Sequence, residues 1–282
     1  MNIMRRIKKI KDVILKQPKS LPYIIFDKVF TTNTIKNIDK KFKSNYDILN
    51  NYVSSIEGLL QENTQVDMDI ITVDDFLNTS MIIDHVNHYN RQVLSELFLH
   101  YNSDKSNTHN YHNVYQPIID LELSNKDIVS ICEIGLGTNY LDIDSNMSWS
   151  GSPGASARAF RDYNSNLNIY GGDVDKRILF EENRIQTTFV DQNYPKSIRL
   201  FLEKSQPDIV IDDGLHQPFS NTNVLYESLK YFSETKKEGW IIIEDISLDW
   251  SNYWKVLLSA VKKSHDDFII KTKSALMLVV KI

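Results

Sequence analysis

From residue 128 onward, short apolar segments alternate with segments of helical composition. Five apolar segments have the length of strands, and they cover residues 128–135, 168–175, 187–192, 208–214 and 239–246. Four segments between them have the composition of helices, namely residues 154–163, 176–184, 195–205 and 220–235. Near-continuous apolar strands that alternate with helices are typical of a parallel sheet with both faces covered. The pattern therefore predicts a doubly wound α/β domain.

The end of the chain departs from this alternation. Two apolar segments, DDFIIKTK (266–273) and SALMLVVKI (274–282), follow each other directly. A parallel return would need a crossover connection, so these segments are predicted to pair as an antiparallel hairpin. Five strand–helix units closed by such a hairpin form the plan of the class I S-adenosylmethionine-dependent methyltransferases, a Rossmann-like, mostly parallel sheet of seven strands.

The sequence before residue 101 is polar and rich in Asn and Lys, with amphipathic segments near 46–62 and 74–101. Residues 1–100 are predicted to form a helical extension that serves self-association or closes an acceptor pocket, ahead of a methyltransferase domain over residues 101–282. Within the first 16 residues, six basic residues accompany isoleucines at helical spacing, Ile3, Ile7, Ile10 and Ile14. This helix is expected to pack on the protein or on a partner subunit, with a membrane surface as the alternative. We therefore predict a homo-oligomer.

Composition argues against several classes of protein. The formal net charge of −5 gives no general attraction to nucleic acid or anionic membranes. No run of about 18 apolar residues is present, so no transmembrane segment is expected, and no apolar signal region follows the basic start. The single cysteine, Cys132, rules out an internal disulfide or a Cys-rich zinc site. It predicts a buried spacer and a reducing, cytoplasmic setting.

Eight of the nine glycines lie between Gly135 and Gly239, so the ligand site is expected in that interval. The segment EIGLGT (133–138) ends the first predicted strand, where glycines let the backbone approach a cofactor and a following helix offers free N–H groups. An ordinary strand-to-helix turn is the alternative. The chain then runs through NYLDIDSNMSWS before GSPGAS (151–156) opens the helix. This excursion, which carries Trp149, predicts a lid or a substrate-facing loop.

Acidic residues follow the second and third predicted strands. Asp173 is placed to accept hydrogen bonds from both ribose hydroxyls of a bound nucleoside, and the same placement would serve NAD. Asp175 is predicted to cap the next helix. Asp191 and Gln192 are placed to meet an adenine edge, with a surface turn as the alternative.

A further acidic group is predicted where two strands end, in DIVIDDGLH (208–216) and GWIIIEDI (239–246). Neighbouring strands lie about 5 Å apart, so Asp213, Glu244 and Asp245 converge if these two strands are neighbours. Three carboxylates this close repel each other unless a cation lies among them. Oxygen ligands suit Mg²⁺, with Mn²⁺ or Ca²⁺ as substitutes. Helix caps and surface turns are the alternative.

The chain resembles the metal-dependent sugar O-methyltransferases, relatives of the macrolide-sugar and rhamnosyl O-methyltransferases. The resemblance rests on five segments that occur in the same order, EIGLG, GSPGAS, YGGDVDKRI, IDDGLH and IIEDI. The upstream segment SDKSNTHNYHNVYQP resembles a further pattern of that family, at Asp104, Lys105, His109, Tyr111 and Tyr115. The likeness covers roughly residues 100–250 and is most specific in its second half.

The resemblance implies that Asp213, Glu244 and Asp245 bind Mg²⁺ or Mn²⁺. It also implies that His216, acting with Asp213, is the catalytic base that takes the proton of the acceptor hydroxyl. The acceptor is expected to be a sugar, and a GDP-linked hexose or heptose for a bacterial capsule or surface glycan is the specific expectation. Trp250 and Trp254 are candidates for a platform under the sugar ring, with core packing as the alternative.

The cofactor implied by the resemblance is S-adenosylmethionine, and His109 and Tyr111 are expected in a flap over it. The residues expected to bind this cofactor are Glu133, Gly135, Gly137, Ser156, Asp173, Asp191, Gln192 and Asp212, together with Lys105 and Tyr111 from the upstream segment.

Three other functions compete with this interpretation. An NAD-dependent oxidoreductase acting on a nucleotide sugar would share the glycine turn and Asp173, but hydride transfer requires neither the terminal hairpin nor the carboxylate group. A non-haem iron hydroxylase usually needs two histidines and a carboxylate, and only His216 lies in the predicted group. A partner-binding protein that uses the fold as a scaffold would not need four motifs at strand ends.

Overall fold

A mixed β-sheet runs through the part of the chain that the structure, a computed structural model, describes: residues 69–83, 92–148, 151–261 and 266–282. Its strands are β1 (Ile70–Thr72), β2 (Val129–Ile134), β3 (Leu167–Asp173), β4 (Glu181–Glu182), β5 (Ile185–Phe189), β6 (Ile209–Asp212), β7 (Trp240–Ile246), β8 (Asp266–Lys271) and β9 (Leu276–Lys281). The α-helices are α1 (Val73–Leu77), α2 (Gln92–His100), α3 (His112–Asn125), α4 (Ala155–Tyr163), α5 (Pro195–Ser205), α6 (Pro218–Thr235) and α7 (Ser251–Val261). Short 3₁₀ turns cover Lys176–Ile178 and Leu248–Trp250.

The strand order across the sheet is β1-β8-β9-β7-β6-β2-β3-β5-β4. Strand β2 pairs in parallel with β3 on one side and with β6 on the other, so the direction of winding reverses at β2. Strand β9 is inserted antiparallel between β7 and β8. The predicted class I methyltransferase fold is confirmed, including its antiparallel hairpin. Two short strands, β1 and β4, extend the predicted seven-stranded sheet at its edges.

The central strands are apolar throughout because both faces of the sheet are covered. Ile209 and Ile211 of β6 join the core cluster that includes residues of α1–α4. Val210, between them, joins the second cluster, which includes residues of α5–α7. All three side chains are fully buried, as expected for a strand between two helical layers. The expected buried position of Cys132, in β2, is also confirmed.

The helix predicted over residues 176–184 is wrong. After the 3₁₀ turn the chain extends into β4, turns at Arg184, which has a φ of 60°, and returns as β5. Leu179 and Phe180 pack against the core from extended backbone. The Thr187 hydroxyl bonds to both the N–H and the carbonyl of Phe180, groups that a helix would use internally.

The described part of the first hundred residues packs onto the sheet. Strand β1 pairs in parallel with β8, and Phe76 of α1 lies edge-on to Phe268, with ring centroids 5.4 Å apart. Phe98 of α2 makes a similar contact, at 5.3 Å, with Phe160 of α4. The predicted helix at Ile3–Ile14 and the segment 46–62 lie outside the described residues. The domain boundary at residue 100 and the role of residues 1–100 stay predictions.

Among the described helices, none combines the length and the hydropathy needed to cross a membrane.

We predict that Phe98→Ala lowers the free energy of unfolding by about 3–5 kcal/mol, because it leaves a cavity between α2 and α4. The matched control is Leu99→Ala, one residue along the same helix, where the side chain is 46% exposed. This control should cost about 0.5 kcal/mol or less. Urea unfolding followed by circular dichroism measures both values. Equal, small losses would show that α2 is not part of the folded core.

Candidate active site

A cavity of about 240 Å³ lies at the carboxyl ends of β2, β3 and β6. The turn after β2 passes directly beneath the segment that follows β6. A Cβ atom on Gly135 would lie 2.0 Å from the carbonyl oxygen of Asp213, and the φ of Gly135 is +101°. Only glycine fits this crossing. The cavity is lined by Ile134, Gly135, Asp142, Ile143, Asp144, Ser145, Asp173, Val174, Val190, Asp191, Gln192, Asn193, Gly214 and Leu215.

The predicted acidic residue at the end of β3 is held rigidly at the cavity wall. The carboxylate of Asp173 accepts hydrogen bonds from the backbone N–H groups of Leu136 and Asp175, each at 2.8 Å. Burial raises the pKa of Asp173. Each carboxylate oxygen retains a further acceptor site, so Asp173 can still receive a ligand hydroxyl. Asp175 caps the 3₁₀ turn by accepting from Arg177, in place of the predicted helix.

Asp212 lies beneath the cavity and does not line it. Its buried carboxylate accepts from the side chains of Asn221, at 2.9 Å, and Gln192. Gln192 in turn accepts from the backbone N–H of Leu215, at 2.7 Å, and does line the cavity. Burial raises the pKa of Asp212 to about 6. The structure therefore makes Asp212 a support for Gln192, in place of the direct cofactor contact that the sequence suggested.

A possible cation-binding group lies at the ends of β6 and β7. Asp213, His216 and Asp245 each offer one ligand atom, and these atoms lie within 4.8 Å of one another. The Nε2 atom of His216 is 3.8 Å from Oδ1 of Asp213 and 3.9 Å from Oδ2 of Asp245. The donors, two carboxylates and an imidazole, are types that bind divalent metals.

Two members of this group have strained backbone. His216 and Asp245 both have a φ of 52°, in the left-handed region that non-glycine residues rarely adopt. The pairing of β7 with β9 is irregular between Ile243 and Ile246, where Glu244 and Asp245 lie. Such irregularities re-aim side chains at the end of a strand. Here the consecutive carboxylates Glu244 and Asp245 contact different partners.

Glu244 faces Lys105, which lies in the turn before α3. The Nζ atom of Lys105 is 2.6 and 2.7 Å from the two oxygens of Glu244 and 2.6 Å from Oδ2 of Asp213. It is also 3.5 Å from Glu133, and only 2% of the lysine is exposed. Tyr115 donates a further hydrogen bond to Glu244. The carboxylates thus converge in two groups that share Asp213, one around Lys105 and one around His216.

The buried lysine sets the charge balance of this cluster. Burial opposes the charged form, but Asp213, Glu244 and Glu133 outweigh it and raise the pKa of Lys105. Burial raises the pKa of Glu133 to about 7, and Ser156 donates to this carboxylate at 2.6 Å. Lys105 is therefore a resident cation among the acids, a role that the sequence did not identify.

The upstream segment lies against the acidic group and not in the cavity lining. Tyr111 donates to Oδ1 of Asp245 at 2.7 Å, and the ring of His109 stacks on Tyr111 with centroids 4.9 Å apart. A hydrogen bond with Asp104 raises the pKa of His109. Of the residues expected to contact a cofactor, the described cavity lining omits Lys105, Tyr111, Glu133, Gly137, Ser156 and Asp212.

The two tryptophans expected as a sugar platform differ in position. Trp254 is 1% exposed and packs in the core, so it is not available for stacking. Trp250 is partly buried beside Tyr253, with ring centroids 6.1 Å apart. Trp149 lies outside the described residues. Residues 142–145 line the cavity. They belong to the excursion after Thr138, which the sequence predicted to be a lid or a substrate-facing loop without naming these residues.

Comparison with known proteins finds no matching family model. Over 172 residues, 59% of its length, the chain is 29% identical to 8-demethyl-8-alpha-L-rhamnosyl tetracenomycin-C 2'-O-methyltransferase of Streptomyces olivaceus. Over 127 residues, 45% of its length, it is 33% identical to demethylmacrocin O-methyltransferase of Streptomyces fradiae. The matched segments make up only 40% and 29% of these two relatives.

Among solved structures, the chain is similar to a methyltransferase of the mycinamycin biosynthetic pathway in complex with Mg and SAH. The TM-score is 0.45 at 25% identity, over 60% of this chain and 43% of that one. A second crystal structure from that pathway, with Mg, SAH and mycinamycin VI, has a TM-score of 0.45 at 27% identity, over 57% of this chain and 38% of that one.

We predict that Asp245→Asn weakens Mn²⁺ binding more than ~100-fold, the loss expected for a candidate ligand, whereas Glu244→Gln weakens it only ~10–100-fold, the loss typical of a group outside the coordination sphere. The electron paramagnetic resonance signal of free Mn²⁺ during titration measures both affinities. Asp249→Asn, the same change at an exposed position four residues on, is the matched control. A loss in Glu244→Gln as large as that in Asp245→Asn would mean that Lys105 leaves Glu244 when metal binds.

Proposed function

We propose that this protein is an S-adenosylmethionine-dependent O-methyltransferase that methylates a sugar hydroxyl with the help of a divalent metal. The observation that carries the proposal is the group formed by Asp213, His216 and Asp245 beside the cavity at the glycine turn. In this proposal the cavity receives the cofactor, and the group at the same edge of the sheet supplies the metal ligands and a base. These are the parts that metal-assisted methyl transfer to a hydroxyl requires.

The relatives support transfer to oxygen. The curated relatives reported above are both named as O-methyltransferases, and one name specifies the 2' position of a rhamnosyl group. The chain spans well under half of the length of either, so its activity is inferred from the matched segment and the site together.

The charge of the cavity favours S-adenosylmethionine over NAD. Of the described residues that line it, four are aspartates, Asp142, Asp144, Asp173 and Asp191, and none is basic. A dinucleotide would bring the two negative charges of a pyrophosphate against these acids. S-adenosylmethionine brings a positively charged sulfonium, which an acidic surrounding favours. The oxidoreductase alternative therefore fits this cavity poorly.

The donor set at the end of β7 fits a magnesium ion. Mg²⁺ is commonly held by one or two carboxylates and keeps several waters, and Asp213 and Asp245 provide such a pair. The resemblance adds Glu244 as a third ligand, but Lys105 and Tyr115 already bind this carboxylate. We propose Asp213 and Asp245 as the ligands, with Glu244 held behind them. When bound, the divalent ion lowers the pKa of an acceptor hydroxyl.

His216 is proposed as the general base. Its side chain is 36% exposed, so an acceptor can reach it, and its Nε2 atom lies beside both proposed metal ligands. It would take the proton of the acceptor hydroxyl at Nε2 as the methyl group is transferred. Asp213 assists because its two oxygens face different groups, Oδ2 towards Lys105 and Oδ1 towards His216. The rest of the rate acceleration comes from the alignment of the cofactor with the acceptor hydroxyl.

The acceptor that we propose is a nucleotide-activated sugar, specifically a GDP-linked hexose or heptose used for a bacterial capsule or surface glycan. The rhamnosyl group in the name of one relative supports a sugar, and Trp250 remains a candidate for stacking on its ring. We further propose that the protein works in the cytoplasm as a homo-oligomer, in which residues 1–100 contribute to self-association or to the acceptor pocket.

The proposal is tested by incubating the protein with S-adenosylmethionine, Mg²⁺ and a panel of GDP-linked sugars, with mass spectrometry of the sugars as the readout. We expect one member to gain a methyl group and the reaction to stop in EDTA. His216→Asn should lower the rate ~100-fold or more. His100→Asn, at an exposed position on α2, is the control and should leave the rate unchanged. Undiminished turnover in EDTA would refute the metal-assisted mechanism.

A further inference from the structure

The excursion after the glycine turn forms one wall of the cavity. Asp142, Ile143, Asp144 and Ser145 line it, and the rest of the lining comes from the ends of β2 and β3 and from the turns after β2, β3, β5 and β6. The described excursion closes on itself, since the backbone N–H of Met147 donates to the carbonyl of Thr138 at 2.7 Å. Compact loops with joined ends are a common way to build a binding wall on a rigid sheet. We call residues 139–148 the cap loop.

Arg177 ties the cap loop to the turn after β3. Its Nη2 atom donates to Asp142 at 2.9 Å, and its guanidinium carbon lies 3.8 Å from the ring centroid of Tyr140. The same side chain bonds to both oxygens of Asp175, at 2.7 and 2.9 Å. Tyr140 and Asp142 of the cap loop and Asp175 of the turn after β3 therefore contact the same guanidinium group.

The contact between Arg177 and Asp175 is the stronger part of this connection. Asp175 is 3% exposed and also accepts from the hydroxyl of Thr138, at 2.6 Å, at the start of the cap loop. The hydrogen bond from Arg177 holds the pKa of Asp175 at about 2. Asp175 therefore stays ionised, and it fixes the guanidinium group in one orientation.

The contacts of Arg177 with the cap loop are weaker. The side chains of Asp142 and Arg177 are 68% and 42% exposed, and exposed ion pairs of this kind contribute little by themselves. The contact with Tyr140 adds a modest cation–π attraction. Arg177 is therefore held firmly by Asp175 and contacts the cap loop only modestly.

We propose that Arg177 is a positioning residue that holds the cap loop over the nucleoside part of the cofactor. The inference rests on the proposed function for the identity of the ligand, S-adenosylmethionine or its product. Under this proposal the excursion helps to retain the cofactor. The sequence alone predicted either a lid or a substrate-facing loop. Arg177 itself does not line the cavity.

The first experiment is titration calorimetry with S-adenosylhomocysteine and S-adenosylmethionine. We expect Arg177→Ala to raise both dissociation constants ~10-fold, the effect of losing a coupled contact of modest strength. Lys176→Ala removes the same charge from the neighbouring exposed position and should change them less than ~2-fold. A purely electrostatic role would produce the opposite result, because loss of a positive charge near an acidic cavity should tighten binding of the sulfonium.

Asp142→Asn tests the other half of the connection. If the ion pair holds the loop, this variant also weakens binding, and Arg177→Ala/Asp142→Asn is no weaker than the weaker single variant. Shifts of opposite sign in the two single variants, or fully additive losses, would overturn the proposal.

Amide hydrogen exchange of the ligand-free protein separates this inference from the proposed function. Faster exchange of the cap loop in Arg177→Ala than in Lys176→Ala is expected even if no cofactor is added. If the wild-type protein binds neither adenosyl compound, the proposed function fails, while the exchange rates still decide whether Arg177 holds the loop. Equal exchange in the two variants would refute that role.

Discussion

The site depends on one buried charge interaction, the ammonium group of Lys105 among Asp213, Glu244 and Glu133. Carboxylates that lose their partner in such a place cost about 3–5 kcal/mol, so the ends of β2, β6 and β7 could not gather their acids here without a cation. The lysine binds Glu244 and one oxygen of Asp213, and Tyr111 donates to Oδ1 of Asp245. The remaining oxygens, Oδ1 of Asp213 and Oδ2 of Asp245, face His216. The inner half of the cluster is thus structural, and the outer half is open to chemistry.

Backbone hydrogen bonds set the distance between the cavity and the acidic group that contains Asp213. The N–H of Asp213 donates to the carbonyl of Ile134 at 2.8 Å, and the N–H of Gly135 donates to the carbonyl of Gly172, also at 2.8 Å. These bonds lock the turn that forms the cavity floor to the segment that carries Asp213 and His216. Substitutions in the lining change what the cavity binds, but the spacing between the cavity and His216 follows from the pairing of β2 with β3 and β6.

The sheet was predictable because its strands bury both faces, which leaves an apolar signal in each of them, and the hairpin was predictable because no crossover fits between its strands. The helix predicted over residues 176–184 was wrong because local composition suits either state, whereas the extended form depends on contacts with the next strand, such as the two hydrogen bonds between Thr187 and Phe180. The proximity of Asp213 to the β7 carboxylates followed from strand adjacency. The separation of Glu244 from Asp245 did not, because it depends on one left-handed residue at an irregular strand end. Lys105 was missed as an ion partner because it lies 108 residues before Asp213 in the sequence.

The insertion of β9 between β7 and β8 means that the sheet cannot be completed until the last described strand has been synthesised. In the described part of the chain, β8 and β1 join the sheet through β9, although β1 precedes every other described strand. On the ribosome, the segment that becomes β1 therefore cannot join the sheet until β9, which ends at Lys281, has been synthesised. Once β7 has been synthesised, its edge stays open until β9 pairs with it, and transient binding by a chaperone would protect this edge from pairing with other chains.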